Sequence, residues 1–506
     1  MIKNKILAKS ELSSLVIRLK KVNKKIVHCH GTFDLIHAGH IKYLQKSKTF
    51  GDILIVTVTA NKYVNKGPGR PVFDEITRSE NLAALSCVDY VCINDAVSSE
   101  KIIKMIRPDY YVKGSDYQNE SDDITGNITK EKNAVISCGG KIVFTNEITY
   151  SSSKLLNNYF DIYSKETRVF LKNFSKKYET NQLIDQINSL SDLNVLVIGD
   201  AIVDEYHYVN PLGLTGKGNI LAAHYSSQEI FAGGSIAVAN HISSFVNKVT
   251  LVTGLGDKNN KESFIKKNLK KNVKAKFFYF KNSQTLTKRR FVDSDLNKFF
   301  EIYLFSENPT LGTDYPKLTK YLNKLSDFDV VVVADFGNGL IDKNLKDIIC
   351  KKTKFLAVNT QLNSGNRGFN VITQYNRADF ISLNEPELRI AKNNKSDDIK
   401  KLMSDVANNL NAKFISTTMG TKGVLMLNSR KNYFSHTPAL SSRVIDRVGA
   451  GDAYLSLSSI ALAGGLEFDI ANFLGGVAAA MDVQIVCNKD SVHKINLIKY
   501  VTSILK

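Results

Sequence analysis

What this 506-residue chain lacks narrows its class before any motif is read. Its six cysteines (Cys29, Cys87, Cys92, Cys138, Cys350 and Cys487) form no Cys-x-x-Cys pair and no Cys/His cluster. That argues against a disulfide framework or a zinc site, and reads as buried thiols in a reducing compartment. No apolar run approaches the ~20 residues that span a bilayer. The basic N-terminus runs into an amphipathic stretch, Leu12 to Leu19, with neither the apolar core nor the cleavage site of a signal peptide. A cytoplasmic protein with no membrane partner is expected.

A basic arm is also missing. The formal charge is +19, so nucleic acid has to be weighed as a partner. Residues 1–160 carry a surplus of 7 positive charges and the remainder a surplus of 12, so the excess simply follows length. Phosphate-bearing substrates, or a Lys- and Asn-rich surface, account for it, and no nucleic-acid partner is expected.

What is present is a repeating pattern. Apolar runs of strand length occur at Lys25 to Cys29, Ile53 to Val58, Tyr110 to Val112, Asn194 to Ile198, Val330 to Ala334, Phe355 to Val358 and Phe414 to Ser416. Most lead through glycine or polar residues into a helical pattern, which indicates α/β domains with parallel sheets. The length calls for more than one core. The alternation lapses after about Asp161 and resumes with the strand ending in Gly199-Asp200. This divides the chain into residues 1–160, a helical linker at 161–191, and residues 192–506. Within the last part, Gln284 to Phe305 reads as a hairpin around a polar turn at Asp293 to Asn297, a small β lid on an α/β domain.

Two segments carry chemistry. In the first, Gly31-Thr32-Phe33-Asp34 leads from a buried strand towards His37-Ala-Gly-His40, where a helix starts. Free amides at a helix start attract phosphate, and two histidines three apart share a helical face. A metal pair or surface histidines would show the same spacing. The whole string resembles the signature of the cytidylyltransferase-like, HIGH-motif nucleotidyltransferases. The segments Lys66 to Arg70, Arg78, Lys113-Gly114-Ser-Asp116 and Ser151-Ser152-Ser153 follow in the order of the heptose-1-phosphate adenylyltransferases. The resemblance implies a Rossmann-like domain in which His37, His40 and Lys66 act on a triphosphate, with Gly31, Thr32 and Phe33 beside it. It further implies that Lys66 and Arg78 contact phosphates, that Lys113 to Asp116 shape the nucleoside pocket, and that Ser151 to Ser153 hold phosphate. Class I aminoacyl-tRNA synthetases share the His-x-Gly-His idea, but this chain has no Lys-Met-Ser-Lys-Ser-like loop.

In the second, Asp446-Arg-Val-Gly449-Ala450-Gly451-Asp452 enters an apolar helix. Small residues there let consecutive amides converge on an anion, and a carboxylate beside them can take a proton from a hydroxyl under attack. The string resembles the second signature of the ribokinase (PfkB) sugar kinases. The resemblance implies Asp452 as base and Gly449, Ala450 and Gly451 as an anion hole. For the sugar it implies Asp200, Asp204, Gly233, Gly234 and Asn240. The Asn384 to Glu387 element would organise water around Mg²⁺, Thr418, Gly420 and Gly423 would form the nucleotide loop, and Asn488 would lie near the adenine. Asp335 to Gly339 is expected to line the cleft. Asn384 to Glu387 reads equally as a helix cap, and Gly233-Gly234 as a turn. Lys288, Arg289 and Arg290 on the lid would either meet a second substrate phosphate or form a solvated strand face, with Arg290 the candidate. Three positions depart from the pattern: Ala237 stands where the family carries asparagine, Arg447-Val448 where small hydroxyl residues are common, and Asn359-Thr-Gln361 where heptose kinases carry Asp-Pro-Lys.

Together the halves resemble the bifunctional enzyme of ADP-heptose biosynthesis, with the domain order inverted. That implies a kinase acting at C1 of a heptose 7-phosphate-like sugar and a transferase moving AMP from ATP onto a sugar 1-phosphate. Mg²⁺ would be the cofactor, ATP the substrate of both halves with CTP open for the transferase, and a homodimer could form through the lid. The alternative is an active transferase for another sugar or polyol phosphate beside a divergent or sensory kinase domain.

Overall fold

The computed structural model describes residues 2–64, 70–114, 127–145, 163–441 and 443–506. They fall into two units, Met1–Ser164 with Ile498–Lys506, and Lys165–Leu497. Lys66, Asp116 and Ser151 to Ser153 lie outside the described residues.

The first unit is built on five parallel strands: β1 (Ile26–Gly31), β2 (Ile53–Thr59), β3 (Tyr90–Asn94), β4 (Tyr110–Gly114) and β5 (Lys141–Thr145), in the order β3-β2-β1-β4-β5. Ile26 to Cys29 of β1 are buried on both faces, His28 among them, and Val27, Cys29, Leu54, Val56 and Val112 share one core. Each such side chain taken fully out of water contributes about 1.5–3 kcal/mol. Chain order reverses between β1 and β4. A doubly wound sheet opens its crevice at such a switch, beyond the carboxyl ends of the strands. Helices α1 (Lys9–Lys21), α2 (Ala38–Lys48), α3 (Glu75–Ala83), α4 (Glu100–Ile106) and α5 (Asn127–Ser137) belong to this unit, as does the C-terminal stretch Ile498–Lys506.

The second unit has a nine-stranded sheet in the order β10-β9-β6-β13-β14-β15-β16-β17-β18. Its strands are β6 (Asn194–Gly199), β9 (Lys248–Lys258), β10 (Val273–Gln284), β13 (Val330–Asp335), β14 (Phe355–Thr360), β15 (Phe380–Asn384), β16 (Phe414–Thr418), β17 (Val424–Asn428) and β18 (Tyr433–Thr437). Seven are parallel, and the last two turn back as antiparallel pairs. The seven apolar runs marked in the sequence are all strands, each running one or two residues past its marked end, with β1 starting one residue late at Ile26.

A separate four-stranded sheet, β12-β11-β7-β8, forms the lid. Strands β11 (Thr287–Val292) and β12 (Lys298–Leu304) are the expected hairpin. The other half, β7 (Ala201–Leu214) with β8 (Leu221–Gly234), is an antiparallel pair of 14-residue strands. The stretch read as a linker holds two helices, Lys165–Lys177 and Thr180–Ser189, that belong to this second unit. They are fastened by Phe174 stacked on Phe473 at 4.2 Å and by Tyr178 bonded to Glu467.

Candidate functional site

In the second unit, Gly449 takes φ 102° and opens the helix Ala450–Ala463. A β-carbon on Gly449 would stand 2.7 Å from Asp482 Oδ2 and 2.8 Å from Asn488 Oδ1, so only glycine fits. Gly451 faces open space, which leaves the first amides of the helix approachable by an anion. Asp452 sits in that first turn, 9% exposed. Burial, reinforced by the charge of Asp204, opposed by Lys288 and reinforced again by Glu387, pushes its carboxyl up to about 7. A carboxylate in that range exchanges a proton readily near neutrality.

Asp204 lies opposite this helix start, at the root of the lid. Its Oδ1 accepts from Arg290, and its Oδ2 lies against Gly233, whose absent β-carbon would come within 2.2 Å. The amide nitrogen of Asn488 flanks the same point at 3.2 Å, so Asn488 bridges from the Gly233 segment to the helix start at Gly449. Asp200 closes β6 and accepts from the backbone N–H groups of Phe336 (3.0 Å) and Asn338 (3.2 Å). Burial and the nearby charge of Asp335 push it up to about 7. Asp200 and Asn338 line a cavity with Gly254, Phe280, Phe305 and Pro309. Asp335 lies deeper, accepting from Tyr375 Oη at 2.8 Å and from Asn370.

Two devices shape the segments around Asn384 and Gly420. Asn384 caps the helix Glu385–Ala391 by accepting from Glu387 N, and Glu387 returns the bond to Asn384 N, both at 2.8 Å. Glu387 also accepts from Leu362 N, and burial pushes it up to about 7. The loop after β16 turns at Gly420 and Gly423, with φ 59° and 81°. A side chain on Gly423 would strike Thr437 O at 2.1 Å. Among the described residues no group of three or more His, Cys, Asp or Glu gathers to hold a metal ion directly.

In the first unit, His37 caps α2, its Nδ1 accepting from His40 N at 3.4 Å. The two rings stack at 3.9 Å, and Phe33 meets His40 edge-on. Burial lowers the His37 pKa. Phe33 takes φ 48°, and its ring covers Gly31, where a β-carbon would come within 3.0 Å. Asp34 accepts from Val72 N and Phe73 N, which fixes the turn between the strand and α2. Arg78 is wholly buried. It donates to Phe73 O, Thr32 O, Thr59 O and Asn61 Oδ1, so four of its five N–H groups hold turns together. Lys113 sits across from β1 on β4 and pairs with Glu131 at 2.9 Å, while Glu131 accepts from Ser99 and Tyr111. Burial raises Glu131, but Lys113 and Ser99 outweigh it and leave it below its ordinary range. No described atom lies within 4 Å of where a β-carbon on Gly114 would stand.

The pfkB family carbohydrate kinase profile matches residues 192–487, more than half of the chain. The chain belongs to the pfkB carbohydrate kinase family. The cytidylyltransferase-like profile matches residues 28–158, so the second domain is a ribokinase-like kinase domain and the first a Rossmann-like nucleotidyltransferase domain. By family the chain is a two-part transferase. It is 38% identical over 152 residues to the bifunctional protein HldE of Geobacter metallireducens, covering 30% of this chain and 29% of that one. It is 45% identical over 113 residues to the HldE of Sulfurimonas denitrificans, covering 22% and 24%. The chain thus spans under a third of the length of the curated relatives it matches. A ribokinase crystal structure from Thermotoga maritima is 18% identical and covers 61% of this chain and 99% of its own, with TM-score 0.48.

In the kinase domain, Asp452, Gly449, Ala450, Gly451, Asp204 and Gly233 converge, with Gly234 (φ 61°) ending β8 beside them. Asn240 and Arg290 are both bonded to protein groups. Asn240 donates to Asn268 O and accepts from Lys270 N, which ties its helix to a turn. Arg290 is held between Asp204 and Glu301. Asn488 stands beside Gly449 at the start of the helix Ala450–Ala463. Ala237 is buried with no polar group to offer the sugar, and Asn359 donates to Ser382 O. Sequence reasoning did not single out Asp482, Glu131 or the Lys298–Asp446 pair, which joins at 3.0 Å beside Tyr206. Asp482 falls in an apolar helix with no motif around it, and an isolated acid in such a run is the signal that was available.

Proposed function

We propose that the chain is a bifunctional sugar-nucleotide enzyme. Its kinase domain phosphorylates a sugar phosphate, heptose 7-phosphate-like, at C1 with ATP. Its transferase domain moves AMP from ATP onto a sugar 1-phosphate and releases pyrophosphate, towards an ADP-heptose-like product. What carries this reading is the pairing of an open helix start with a carboxyl near neutrality at Asp452, together with a second helix start occupied by two stacked histidines.

In the kinase reaction the sugar hydroxyl oxygen bonds to the γ-phosphorus, the bond to the β–γ bridging oxygen breaks, and ADP leaves. Asp452 takes the hydroxyl proton, and the amides of Ala450, Gly451 and Asp452 face the charge on the phosphoryl oxygens. Asp204 and Asp200 would orient sugar hydroxyls. Mg²⁺ would neutralise phosphate charge, with Glu387 and Asn384 holding its water shell. Each Glu387 oxygen accepts one backbone N–H and keeps a lone pair, which suits that use.

In the transferase reaction an oxygen of the sugar 1-phosphate displaces pyrophosphate at the α-phosphorus, with no covalent enzyme intermediate. His37 and His40 would donate to the triphosphate at the start of α2. Lys66 and Arg78 were expected at the phosphates. The hydrogen bonds of Arg78 support a supporting part instead, shaping the turn that Thr32 belongs to. Gly114 would let the nucleoside lie against β4.

The six free thiols and the use of ATP fit a cytoplasmic setting. The lid sheet ends in two unpaired edge strands, β12 and β8, which suit a homodimer.

The test is product analysis by mass spectrometry with sugar phosphates and ATP or CTP. His40→Ala should abolish nucleotidyl transfer and spare phosphorylation; Asp452→Ala should do the reverse. Loss of both activities in either variant, or of neither, overturns the reading.

A further inference from the structure

Side chains alternate along β11, and its register places Lys288 between Asp204 of β7 and Tyr303 of β12, and Arg290 between Tyr206 and Glu301. These six residues share one face of the lid. The positive charges on that face are not equivalent. Arg290 bonds Asp204 through Nη1 and meets Glu301 Oε2 at 3.1 Å through Nε, with the Tyr206 ring beneath it. Its Nη1 and Nε are both taken by protein carboxylates.

Lys288 is only 5% exposed, yet its ammonium makes no hydrogen bond or ion pair with any described residue. Its one recorded contact is the face of the Tyr303 ring at 5.3 Å. The charges of Asp204, Glu301 and Asp452 act on this ammonium without a hydrogen bond to any of them, so its three N–H donors remain for a ligand anion. Its neighbour Asp204 has its other oxygen against Gly233. From there Asn488 spans to Gly449 and the helix start of Asp452. Lys288 therefore overlooks the space in front of that helix start. Burial lowers its pKa, and the charge of Asp204 opposes that shift.

We infer that Lys288 is a phosphoryl-binding residue of the lid, taking up a phosphate group between the lid sheet and the helix start Gly449–Asp452. The group is either the γ-phosphoryl in transit or a phosphate already on the acceptor. The inference rests on the kinase reading above and goes beyond it by moving the binding charge from Arg290 to Lys288.

The test uses the full chain as wild type, Lys288→Met and Lys288→Arg, all checked for equal melting temperature. Titration calorimetry with inorganic phosphate should show binding weakened about tenfold in Lys288→Met and largely restored in Lys288→Arg. Phosphoryl transfer from ATP is then followed with acceptor sugars bearing and lacking a phosphate. A fall of about tenfold to a hundredfold in kcat/KM with both acceptors assigns Lys288 to the travelling phosphoryl. The same fall only with the phosphorylated acceptor assigns it to the acceptor's own phosphate. A loss in either binding or turnover upholds the inference. A Lys288→Met chain that binds phosphate like the wild type, and turns over both acceptors within about twofold, overturns it. The calorimetry needs no turnover, so a wild type that phosphorylates no sugar sinks the kinase reading while Lys288 is still decided.

Discussion

Gly233 and Asp204 face each other so closely across the β7–β8 pair that a single added carbon on Gly233 would reach within 2.2 Å of Asp204 Oδ2. The carboxylate cannot retreat, because Arg290 holds its other oxygen. Gly233→Ala is expected to swing Asp204 off its place and to lower kcat/KM for the sugar by about tenfold or more. Nucleotidyl transfer should be unchanged. Kinetics of the two reactions side by side check this, and equal kinase activity would refute it.

Asp452 gives a pH dependence of definite sign. Its carboxyl is raised from 3.8 to about 7, and only the ionised form accepts a proton, so phosphorylation should fall as pH drops below about 7. Stability runs the other way. The folded state binds the proton more tightly than the unfolded state, so stability is full below about pH 4 and declines as pH rises through 7. Asp200 and Glu387, also raised to about 7, add to that decline. Asp452→Asn should abolish phosphorylation while melting higher than wild type at pH 8, a gap that closes towards pH 4. Thermal denaturation across that range reads it.

Arg78 holds four acceptors in fixed directions, and a lysine cannot reproduce that fork. Arg78→Lys should destabilise the transferase domain by about 2–4 kcal/mol and slow nucleotidyl transfer, with phosphorylation intact. Denaturant titration with both assays distinguishes this from a direct phosphate contact, which would leave stability alone.

Lys113→Met should cost about 3–5 kcal/mol, because Glu131 would remain buried without its cation. Adding Glu131→Gln should recover much of the loss, since a neutral amide still bonds Ser99 and Tyr111. A double variant no more stable than the single one would rule out the pairing as the cause.

The parallel strands and both helix starts were legible because each is written locally, as an apolar run or as small residues before a helix. The destinations of long polar side chains were not. Nothing around Arg78 in the sequence reveals that Thr32, Thr59, Asn61 and Phe73 gather about it, since those acceptors are 5 to 46 positions away. The partners of Asn240 were hidden for the same reason: an amide bonds whatever the fold brings near. The length of β7 and β8 was hidden because Asn210-Pro211 and Gly213 break the alternation, at the place where the register shifts. Lys288 stands out only once Arg290 is seen to hold Asp204 and Glu301.

One guanidinium that knots three turns also governs how the transferase half can respond to a ligand. Because Arg78 fastens the ends of β1 and β2 to the start of α3, these segments travel as one piece, and a nucleotide meets a floor already set. On the proposed reading, discrimination between one base and another falls to the rim at Gly114, where no described atom crowds the end of β4.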